Sequence, residues 1–209
     1  MKTGAFITFE GIDGCGKTTQ IQLARSFLDK QENLVITTLE PGGTDIGIQI
    51  RKILLNQKNQ SLVQESEMLL YLADRIQHLK EVILPALEKG NLVLCDRFHD
   101  STLAYQGGGR GIDIDYLLEL NNFATYELDP DITILIDISS IEAQNRVNIN
   151  NPDRIENAGI EFQEEVRNLY LQLADRFPER FLKIDGHESI EVIHSTIWEK
   201  TINCINAKK

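Results

Sequence analysis

One stretch of the sequence follows the spacing G-x-x-x-x-G-K-S/T, and it runs Gly11-Ile12-Asp13-Gly14-Cys15-Gly16-Lys17-Thr18. Glycines at these positions allow a loop whose backbone N–H groups point inward, where they bind phosphate oxygens. Lys17 can reach the β and γ phosphates of a nucleoside triphosphate, and the hydroxyl of Thr18 can ligate Mg²⁺. The pattern therefore predicts a nucleoside triphosphate site formed by this run and the adjacent Thr19.

The segments on either side of this loop favour the same interpretation. An apolar, β-rich run precedes the loop and a helical pattern follows it, so the positive N-terminal end of that helix would also face the phosphates. Along the rest of the chain, β-rich runs alternate with helical patterns, which predicts βαβ units and a parallel sheet. Strands are predicted at 5–10, 34–39, 92–95, 132–137 and 181–184, and helices at 17–31, 46–55, 65–88, 116–126, 161–176 and 190–205.

Several of the predicted strands are apolar nearly throughout, which is typical of strands that are covered on both faces. We therefore predict an α/β fold of the P-loop NTPase class, with three α/β/α layers around a five-stranded parallel sheet. The length of 209 residues suits a single kinase domain, which we place over 1–209. A polar, turn-rich stretch at 148–153 predicts an exposed loop within it.

The composition argues against several classes of protein. With 42% hydrophobic and 25% charged residues, the chain is typical of a folded globular protein. Its net charge of −11 argues against a nucleic-acid partner, because nucleic-acid-binding surfaces are basic. No membrane partner is expected, because no signal-peptide pattern and no apolar run of bilayer length are present. The three cysteines lie far apart without metal-site spacing, so a cytoplasmic location is expected.

A carboxylate is expected beside the predicted phosphate site. The apolar run 92–95 is followed by Asp96, which would hold Mg²⁺ or its water shell together with Thr18. An aspartate at the end of a strand can instead cap the following turn. GTPases, ATPases and kinases all use such a phosphate loop, so these residues alone do not identify the reaction.

Four further motifs make the sequence more specific. They are Glu40-Pro41-Gly42-Gly43-Thr44, Asp96-Arg97-Phe98, Ser101-Thr102-Leu103-Ala104-Tyr105-Gln106-Gly107-Gly108-Gly109-Arg110-Gly111 and Asp153-Arg154-Ile155-Glu156. Together with the phosphate loop they resemble, in the same order from residue 6 to about residue 185, the signatures of bacterial thymidylate kinases. The resemblance implies that the γ-phosphoryl group of ATP is transferred to dTMP with Mg²⁺ in dTTP synthesis, by a homodimer packed through helices.

A kinase of this kind must hold a second anionic phosphate against the repulsion of the first, and guanidinium groups do this best. Arg97 is the first candidate and Arg51 the second, although Arg51 could equally be a solvated helix residue. By resemblance, Tyr105 would crowd the sugar C2′ and Asp13 would accept a hydrogen bond from the 3′-OH. The expected dTMP-binding residues are Asp13, Glu40, Pro41, Arg51, Tyr71, Arg75, Arg97, Ser101, Thr102, Tyr105 and Gln106.

The base of dTMP is expected to lie against the long predicted helix. Resemblance to the family places Arg75 at a thymine carbonyl and Tyr71 over the base, where phenylalanine is usual. Their spacing of four puts both side chains on one helix face. A core aromatic residue beside a surface arginine would have the same spacing, so that interpretation stays open. Thr102 and Gln106, one turn apart, could hydrogen-bond the pyrimidine edge.

Phosphoryl transfer needs positioning and charge stabilisation more than covalent chemistry, so cations and the metal carboxylate are the predicted catalytic groups. In the family, one arginine comes from the phosphate loop or from a lid. The loop position here is Gly14, which favours the lid, predicted at 147–157, yet its residues 147–152 include no arginine. The predicted catalytic residues are Lys17, Asp96, Arg97 and, on the flanks of the lid, Arg146 and Arg154.

Three other interpretations have specific signatures. A sibling monophosphate kinase would keep the phosphate loop but should lack the Tyr-Gln-Gly-Gly-Gly-Arg-Gly run. A GTP-dependent switch protein should carry an Asn-Lys-x-Asp motif after a strand, and the sequence has none. A catalytically weakened nucleotide-binding protein stays open, because the predicted lid lacks arginines.

Overall fold

The computed structural model describes residues 4–29, 34–146 and 152–206. Its sheet has the strands β1 (Phe6–Glu10), β2 (Val35–Leu39), β3 (Leu92–Asp96), β4 (Ile132–Asp137) and β5 (Phe181–Asp185). The strand order is β2-β3-β1-β4-β5, and every neighbouring pair is parallel. The predicted five-stranded parallel sheet is confirmed.

Helices connect the strands. Those of the described ranges are α1 (Lys17–Asp29), α2 (Asp45–Leu55), α3 (Gln64–His78), α4 (Leu84–Glu88), α5 (His99–Thr102), α6 (Ile114–Thr125), α7 (Ser140–Arg146), α8 (Ile160–Arg176) and α9 (Ile190–Asn206). Two π-helical segments, Leu79–Ile83 and Leu103–Gly109, follow α3 and α5, and a 3₁₀ turn spans Glu156–Ala158. No helix in these ranges has the length and apolar character needed to cross a membrane.

Helices cover both faces of the sheet because its central strands are apolar on both faces. On one face, Ile7 and Phe9 of β1 cluster with Ile21 and Leu28 of α1 and with Trp198 of α9. The other face carries a second cluster of Phe6, Leu79, Ile83, Leu87 and Val93. The three-layer P-loop NTPase architecture is therefore confirmed, whereas the assignment of 1–209 to one domain stays a prediction.

The strand order brings three loops together at one edge of the sheet. Because β2, β3 and β1 are neighbours, the chain leaves their carboxyl ends side by side. The backbone N–H of Glu40 donates to the carbonyl oxygen of Asp96 at 2.9 Å, and that of Arg97 donates to Phe9 at 3.0 Å. Ligands of open parallel sheets bind at this edge, so the fold places the predicted phosphate loop and the first two motifs where a site is expected.

The helix predicted at 65–88 is helical throughout but changes its geometry. It begins as α3, widens into the π-helical segment at Leu79–Ile83 and returns to α-helix in α4. Pro85 explains the change, because it has no N–H and its ring crowds the carbonyl group four residues earlier in a regular α-helix.

The glycine run 107–109 lies outside the predicted helices, and glycine has a low helix propensity. The structure places this run in a π-helical segment that packs directly on α8. A Cβ on Gly108 would lie 2.7 Å from the carbonyl oxygen of Glu165, and a Cβ on Gly109 would lie 2.3 Å from the ring of Phe162. Close packing between segments distant in sequence therefore overrides the local preference.

The predicted lid is described only in part. Its residues 147–151 lie outside the described residues. The part that follows is ordered by Asp153, whose Oδ1 accepts hydrogen bonds from the backbone N–H groups of Ile155 (2.8 Å) and Glu156 (2.9 Å). This capping arrangement begins the 3₁₀ turn Glu156–Ala158.

Candidate active site

A cavity of about 740 Å³ opens at the carboxyl edge of β1, β2 and β3. The predicted residues that line it are Asp13, Gly14, Gly16, Lys17, Thr18, Thr19, Glu40, Pro41, Arg51, Tyr71, Arg75, Asp96, Arg97, Ser101, Thr102, Tyr105 and Gln106. The fold thus brings every residue predicted to bind dTMP to one cavity. Three residues of the predicted ATP loop, Gly11, Ile12 and Cys15, do not line it, and Ile12 and Cys15 are buried in the core. Sequence reasoning missed Arg25, which lines the cavity from α1.

The phosphate loop leaves β1 through glycines with left-handed backbone conformations. The φ angle is 131° at Gly11, 87° at Gly14 and 105° at Gly16. At Gly11, a Cβ would also lie 2.5 Å from the carbonyl oxygen of Ile136, so only glycine fits. Lys17 is buried, and its Nζ donates to the carbonyl oxygen of Gly11 at 3.0 Å. The ammonium group is therefore held over the loop.

The two predicted metal ligands are in contact. The hydroxyl of Thr18, in the first turn of α1, donates to Asp96 Oδ2 at 2.9 Å. The contact arises because β1 and β3 are hydrogen-bonded neighbours, with Phe9 opposite Asp96 in the register. Among the described residues, the side chain of Asp96 accepts this hydrogen bond and none from the turn that follows β3. The alternative role of Asp96 as a cap of that turn is therefore not supported.

Arg97 reaches from the end of β3 to the phosphate loop. Its φ of 72° is unfavourable for a residue other than glycine, and it turns the side chain back over the sheet edge. Nη1 donates to the carbonyl oxygen of Gly11 at 2.9 Å. Nη2 donates to Asp13 Oδ1 at 2.7 Å and to the hydroxyl of Tyr105 at 3.0 Å. The guanidinium group thus lies beside the loop that is predicted to hold the phosphates.

Asp13 is kept ionised by its neighbours. Burial alone would raise its pKa, but the charges of Arg97 and Lys17 outweigh burial, and the hydroxyl of Tyr105 lies 3.4 Å from Oδ2. Together they lower the pKa of Asp13 to about 2. An ionised carboxylate can only accept hydrogen bonds, which is what the predicted contact with a 3′-OH requires.

Glu10 is a neighbour of the site that pattern analysis missed. It is fully buried at the end of β1 and accepts hydrogen bonds from the backbone N–H of Phe98 (2.7 Å), the hydroxyl of Ser101 (2.6 Å) and the hydroxyl of Tyr170 (2.8 Å). Because Phe98 directly follows Arg97, these contacts fix the strained turn that carries the guanidinium group. A signal existed in the sequence, since an acidic residue that ends a buried apolar strand must find partners.

Burial and a second buried carboxylate, Asp100, together raise the pKa of Glu10. Burial is the main cause that raises the pKa of Glu10 to about 7; Asp100 raises it further, whereas Arg97 lowers it. Asp100 is fully buried and accepts two hydrogen bonds from Arg180, at 2.6 Å and 2.8 Å. Although burial favours its neutral form, His99 and Arg180 lower the pKa of Asp100, so it stays charged.

Arg75 is almost fully enclosed, with 2% of its surface exposed. Nε donates to Glu40 Oε2 at 2.9 Å, and Nη1 donates to Thr102 Oγ1 at 2.8 Å and to Asn121 Oδ1 at 2.9 Å. Nη2 donates to the carbonyl oxygen of Phe98 at 3.0 Å. A guanidinium group has one further N–H, on Nη2, and within the described residues no acceptor is recorded for it. Because Arg75 also lines the cavity, we expect this donor to be the one that meets a ligand.

Glu40 anchors Arg75 from the loop after β2. Its Oε1 lies 2.9 Å from His78 Nδ1, and His78 Nε2 lies 2.6 Å from the hydroxyl of Thr38. Burial would raise the pKa of Glu40, but Arg75 and then His78 lower it, so the carboxylate stays charged. These contacts make Glu40 a support for the arginine, and its direct contact with dTMP stays a prediction.

The other residues predicted to meet the base lie on the same wall. Tyr71 and Arg75 both line the cavity, which excludes the alternative of a core aromatic residue beside a surface arginine. Burial, with a contribution from Glu67, raises the pKa of Tyr71, so its hydroxyl is neutral. The amide nitrogen of Gln106 donates to Glu67 Oε1 at 3.0 Å. Thr102 accepts from Arg75 and keeps its own hydroxyl hydrogen.

Arg51 reaches the cavity from α2. Its Nη1 donates to the carbonyl oxygen of Pro41 at 2.7 Å, and its side chain lines the cavity. It is partly buried, which favours a place in the cavity over a fully solvated helix arginine, and its contact with a phosphate stays a prediction. Two guanidinium groups, those of Arg51 and Arg97, therefore belong to the same cavity.

The two candidate lid arginines have other contacts. Arg146, at the end of α7, donates from Nη1 and Nη2 to the carbonyl oxygen of Gly186, each at 3.2 Å. Arg154 is buried, its Nε donates to the carbonyl oxygen of Leu54 at 2.7 Å, and its Nη2 lies 2.5 Å from Glu67 Oε2. Neither is among the residues that line the cavity, so their catalytic role stays a prediction.

Comparisons with known proteins extend over almost the whole chain. The thymidylate kinase family model matches residues 9–197. The thymidylate kinase of Citrifermentans bemidjiense is 48% identical over 193 residues, which cover 88% of this chain and 84% of that relative. The thymidylate kinase of Geobacter sulfurreducens is 45% identical over 207 residues, which cover 96% of this chain and 97% of that relative.

The same likeness is present in three dimensions. A crystal structure of the thymidylate kinase from Ehrlichia chaffeensis superposes with a TM-score of 0.80 at 34% identity, and the match covers 95% of this chain and 98% of that chain. The resemblance inferred from the phosphate loop and the four motifs is therefore confirmed. The chain belongs to the thymidylate kinase family.

Proposed function

We propose that the protein transfers the γ-phosphoryl group of ATP to dTMP, giving ADP and dTDP, as a step in dTTP synthesis. One observation carries the proposal. A single cavity joins the phosphate loop, with Lys17 and Thr18, to the guanidinium group of Arg97 and the spare N–H of Arg75. Such a cavity suits two anionic nucleotides that meet at their phosphates, and the family membership of the chain supports the same reaction.

The proposed reaction depends on positive charge at the meeting point. The acceptor phosphate is already an oxyanion, so the reaction needs no general base. Lys17 is held over the phosphate loop and would neutralise charge on the donor phosphates. Arg97, assisted by Arg51, would hold the acceptor phosphate in line with the transferring group, because planar guanidinium groups bind phosphate in a bidentate manner.

Mg²⁺ is the proposed cofactor, and Thr18 and Asp96 would hold it. Their oxygen atoms lie 2.9 Å apart beside the phosphate loop. Hydroxyl and carboxylate oxygens suit Mg²⁺, which is commonly bound through one or two protein oxygens together with substrate phosphates. When bound, the ion would offset negative charge on the phosphoryl oxygens.

Arg146 and Arg154 remain the proposed source of a further catalytic cation. They flank the predicted lid, and residues 147–152 between them include no arginine. Arg146 is exposed at the end of α7, where a contact with a single carbonyl group leaves its guanidinium group accessible. Arg154 would first have to leave Glu67, so Arg146 is the better candidate.

A homodimer packed through helices is also proposed. The described surfaces of α2, α3 and α6 expose large apolar side chains. These helices are neighbours, because α2 packs on α3 and α3 packs on α6. The exposed residues are Ile46, Ile48 and Ile53 of α2, Leu69 of α3, and Tyr116 and Phe123 of α6. In sedimentation velocity, Leu69→Asp should convert a dimer into a monomer, and Ile141→Asp on the exposed face of α7 should not. A monomeric parent protein would contradict the proposal.

A cytoplasmic location belongs to the proposal as well. Its support is the cysteine usage, because Cys15 and Cys95 are both free and buried. Fractionation of cells that express the protein, followed by immunoblotting, tests it.

The decisive experiment measures ADP release with ATP, Mg²⁺ and a panel of acceptors, namely dTMP, dUMP, dCMP and thymidine. We expect dTMP to give the highest kcat/KM and thymidine to give no turnover, because thymidine lacks the phosphate that Arg97 would hold. Lys17→Met is the negative control. ADP release that is independent of dTMP, or a preference for another monophosphate, would contradict the proposed function, and binding of both nucleotides without turnover would favour a weakened nucleotide-binding protein.

A further inference from the structure

Glu67 occupies an unusual position behind the wall of the cavity that is predicted to meet the base. It lies on α3, one turn before Tyr71, and 1% of its surface is exposed. Its carboxylate accepts hydrogen bonds from Arg110 Nε and Nη2, both at 3.1 Å, and from the amide nitrogen of Gln106 at 3.0 Å. Arg154 Nη2 completes the cluster at 2.5 Å from Oε2. None of the sequence motifs drew attention to this residue.

The surroundings keep Glu67 in its ionised form. Burial would raise its pKa, but the hydrogen bonds and charge of Arg110 outweigh burial, and Gln106 and Arg154 act in the same direction, so the pKa is lowered. An ionised carboxylate has no hydrogen to donate. Every group that contacts Glu67 must therefore be a donor.

This requirement fixes the orientation of the Gln106 side chain. Since Glu67 can only accept, the NH₂ group of the amide must face it, and the amide oxygen must point the other way. Gln106 lines the cavity, and no described residue donates a hydrogen bond to its Oε1. The amide therefore presents an acceptor to whatever occupies the cavity, and the opposite orientation would place the oxygen against a carboxylate.

We propose that Glu67 is a specificity-determining positioning residue, which orients Gln106 so that the cavity accepts a pyrimidine with a hydrogen on N3 and rejects one without it. This inference rests on the proposed function and deepens it. Thymine and uracil carry an N3–H, which the oxygen of Gln106 would accept. Cytosine has a bare N3 that would face the same oxygen, so two acceptors would meet and one buried polar group would lose its hydrogen bond.

Substitution of Glu67 by glutamine tests the orientation directly. The side chain of the new glutamine has an NH₂ group in place of one carboxylate oxygen. If this NH₂ group took the position of Oε2, it would face two other donors, Arg110 Nη2 and Arg154 Nη2. The less unfavourable place for its nitrogen is the position of Oε1, which faces a single guanidinium donor, Arg110 Nε, besides Gln106. Gln106 would then turn its oxygen toward residue 67 and present NH₂ to the cavity.

In Glu67→Gln we expect the ratio of kcat/KM for dTMP to kcat/KM for dCMP to fall at least about tenfold, the scale of one mispaired buried hydrogen bond. The loss should be mainly a higher KM for dTMP, because the phosphate-binding residues are untouched. A ratio within about twofold of the parent value would overturn the proposal.

Arg110→Met is the matched control. It removes the two hydrogen bonds between Arg110 and Glu67 but leaves the charge of Arg154 beside the carboxylate and leaves Gln106 its acceptor. Because Arg110 is the largest of the groups that lower the pKa of Glu67, the ratio is measured at about pH 8.5, where the carboxylate stays ionised in the variant as well. We expect the substitution to destabilise the protein, measured as a shift in the midpoint of urea unfolding, without changing the substrate ratio. A fall in the ratio equal to that of Glu67→Gln would overturn the proposal, because it would show that general loosening is sufficient.

A measurement on the unaltered protein keeps the proposal testable if Glu67→Gln fails to fold. The side-chain amide of Gln106, identified in ¹⁵N NMR spectra by its loss in Gln106→Leu, should be protected from solvent exchange both without and with dTMP, because it faces Glu67. Rapid exchange in the free protein would contradict the proposal. If the parent protein does not use dTMP at all, the proposed function fails, whereas normal dTMP turnover with an unaltered ratio in Glu67→Gln rejects the role of Glu67 alone.

Discussion

Arg97 Nη2 donates a 2.7 Å hydrogen bond to Asp13 Oδ1, so the cation expected to hold the acceptor phosphate is paired with a carboxylate of the phosphate loop. Arg97 directly follows β3 and Asp13 lies in the loop after the neighbouring strand β1, and Arg97 has a left-handed backbone conformation at this turn. A dianionic phosphate that enters the cavity would compete with Asp13 for the same N–H groups. The two proposed nucleotide sites are therefore coupled through one ion pair.

The first prediction concerns this pair. Arg97→Lys should lower kcat/KM for dTMP roughly 100-fold, or about 3 kcal/mol, because an ammonium group cannot form the planar bidentate contact with phosphate that a guanidinium group forms. Steady-state kinetics with varied dTMP measure the effect. Arg176→Lys, on the exposed face of α8, should leave kcat/KM unchanged. Equal values for Arg97→Lys and the parent protein would show that the acceptor phosphate binds elsewhere.

The second prediction is a pH dependence that arises from Glu10. Its pKa is about 7 in the folded protein against an ordinary value of 4.5, so the folded state holds the proton over a range in which the unfolded chain releases it. The stability from this group is fully present below pH 4.5 and is lost as the pH rises through 7, by on the order of 3 kcal/mol in total. Glu10→Gln should therefore flatten the fall in unfolding free energy between pH 5 and about pH 8.

Urea unfolding at several pH values measures this difference. The informative quantity is the slope of the unfolding free energy with pH, since the substitution also changes hydrogen bonds to Ser101 and Tyr170. Parallel slopes for the parent protein and Glu10→Gln would show that Glu10 does not titrate in this range.

The third prediction concerns the buried pair formed by Asp100 and Arg180. Arg180→Met should destabilise the protein by about 3 kcal/mol or more, because it leaves a fully buried carboxylate without its bidentate partner. Part of the loss should disappear at low pH, where Asp100 becomes protonated. Arg176→Met is the matched control, and urea unfolding should show it within about 0.5 kcal/mol of the parent. A similarly small effect for Arg180→Met would contradict the prediction.

The fourth prediction separates the two candidate lid arginines. Arg146→Ala should lower kcat at least about tenfold with little change in unfolding free energy, because its recorded contact is with one carbonyl group. Arg154→Ala should lower the unfolding free energy as well, because it removes a partner of Glu67 and a hydrogen bond to Leu54. Single-turnover kinetics and urea unfolding distinguish these effects. If kcat falls less than about tenfold in both variants, another cation stabilises the transfer.

The features that were predicted correctly from the sequence depend on residues that lie close together along the chain. The phosphate loop is defined by spacing within eight positions, and its glycines have the left-handed conformations that such a loop needs. The strands were predicted because strands buried on both faces are continuous apolar runs. The spacing of four between Tyr71 and Arg75 likewise places both residues on the cavity wall.

What the sequence did not predict depends on contacts between distant segments. Glu10 and Tyr170 are separated by 160 positions, and their hydrogen bond exists only because α8 returns across the end of β1. Glu67 meets Gln106 across 39 positions. Neither carboxylate belongs to a spacing pattern. The position of Glu10 at the end of an apolar strand indicated burial, but the sequence did not indicate which residues would be its partners, and for Glu67 it indicated neither.

The glycine run 107–109 has a consequence for how the site tolerates change. No atom of Gly108 belongs to the phosphate site, yet a single methyl group there would collide with Glu165 and push α8 outward. Since α8 carries Tyr170, which contacts Arg97 and Ser101, that displacement would disturb the hydrogen bonds that hold the guanidinium group. Substitution of Gly108 should therefore impair the site through the packing of α8, although Gly108 itself makes no contact with the proposed ligands.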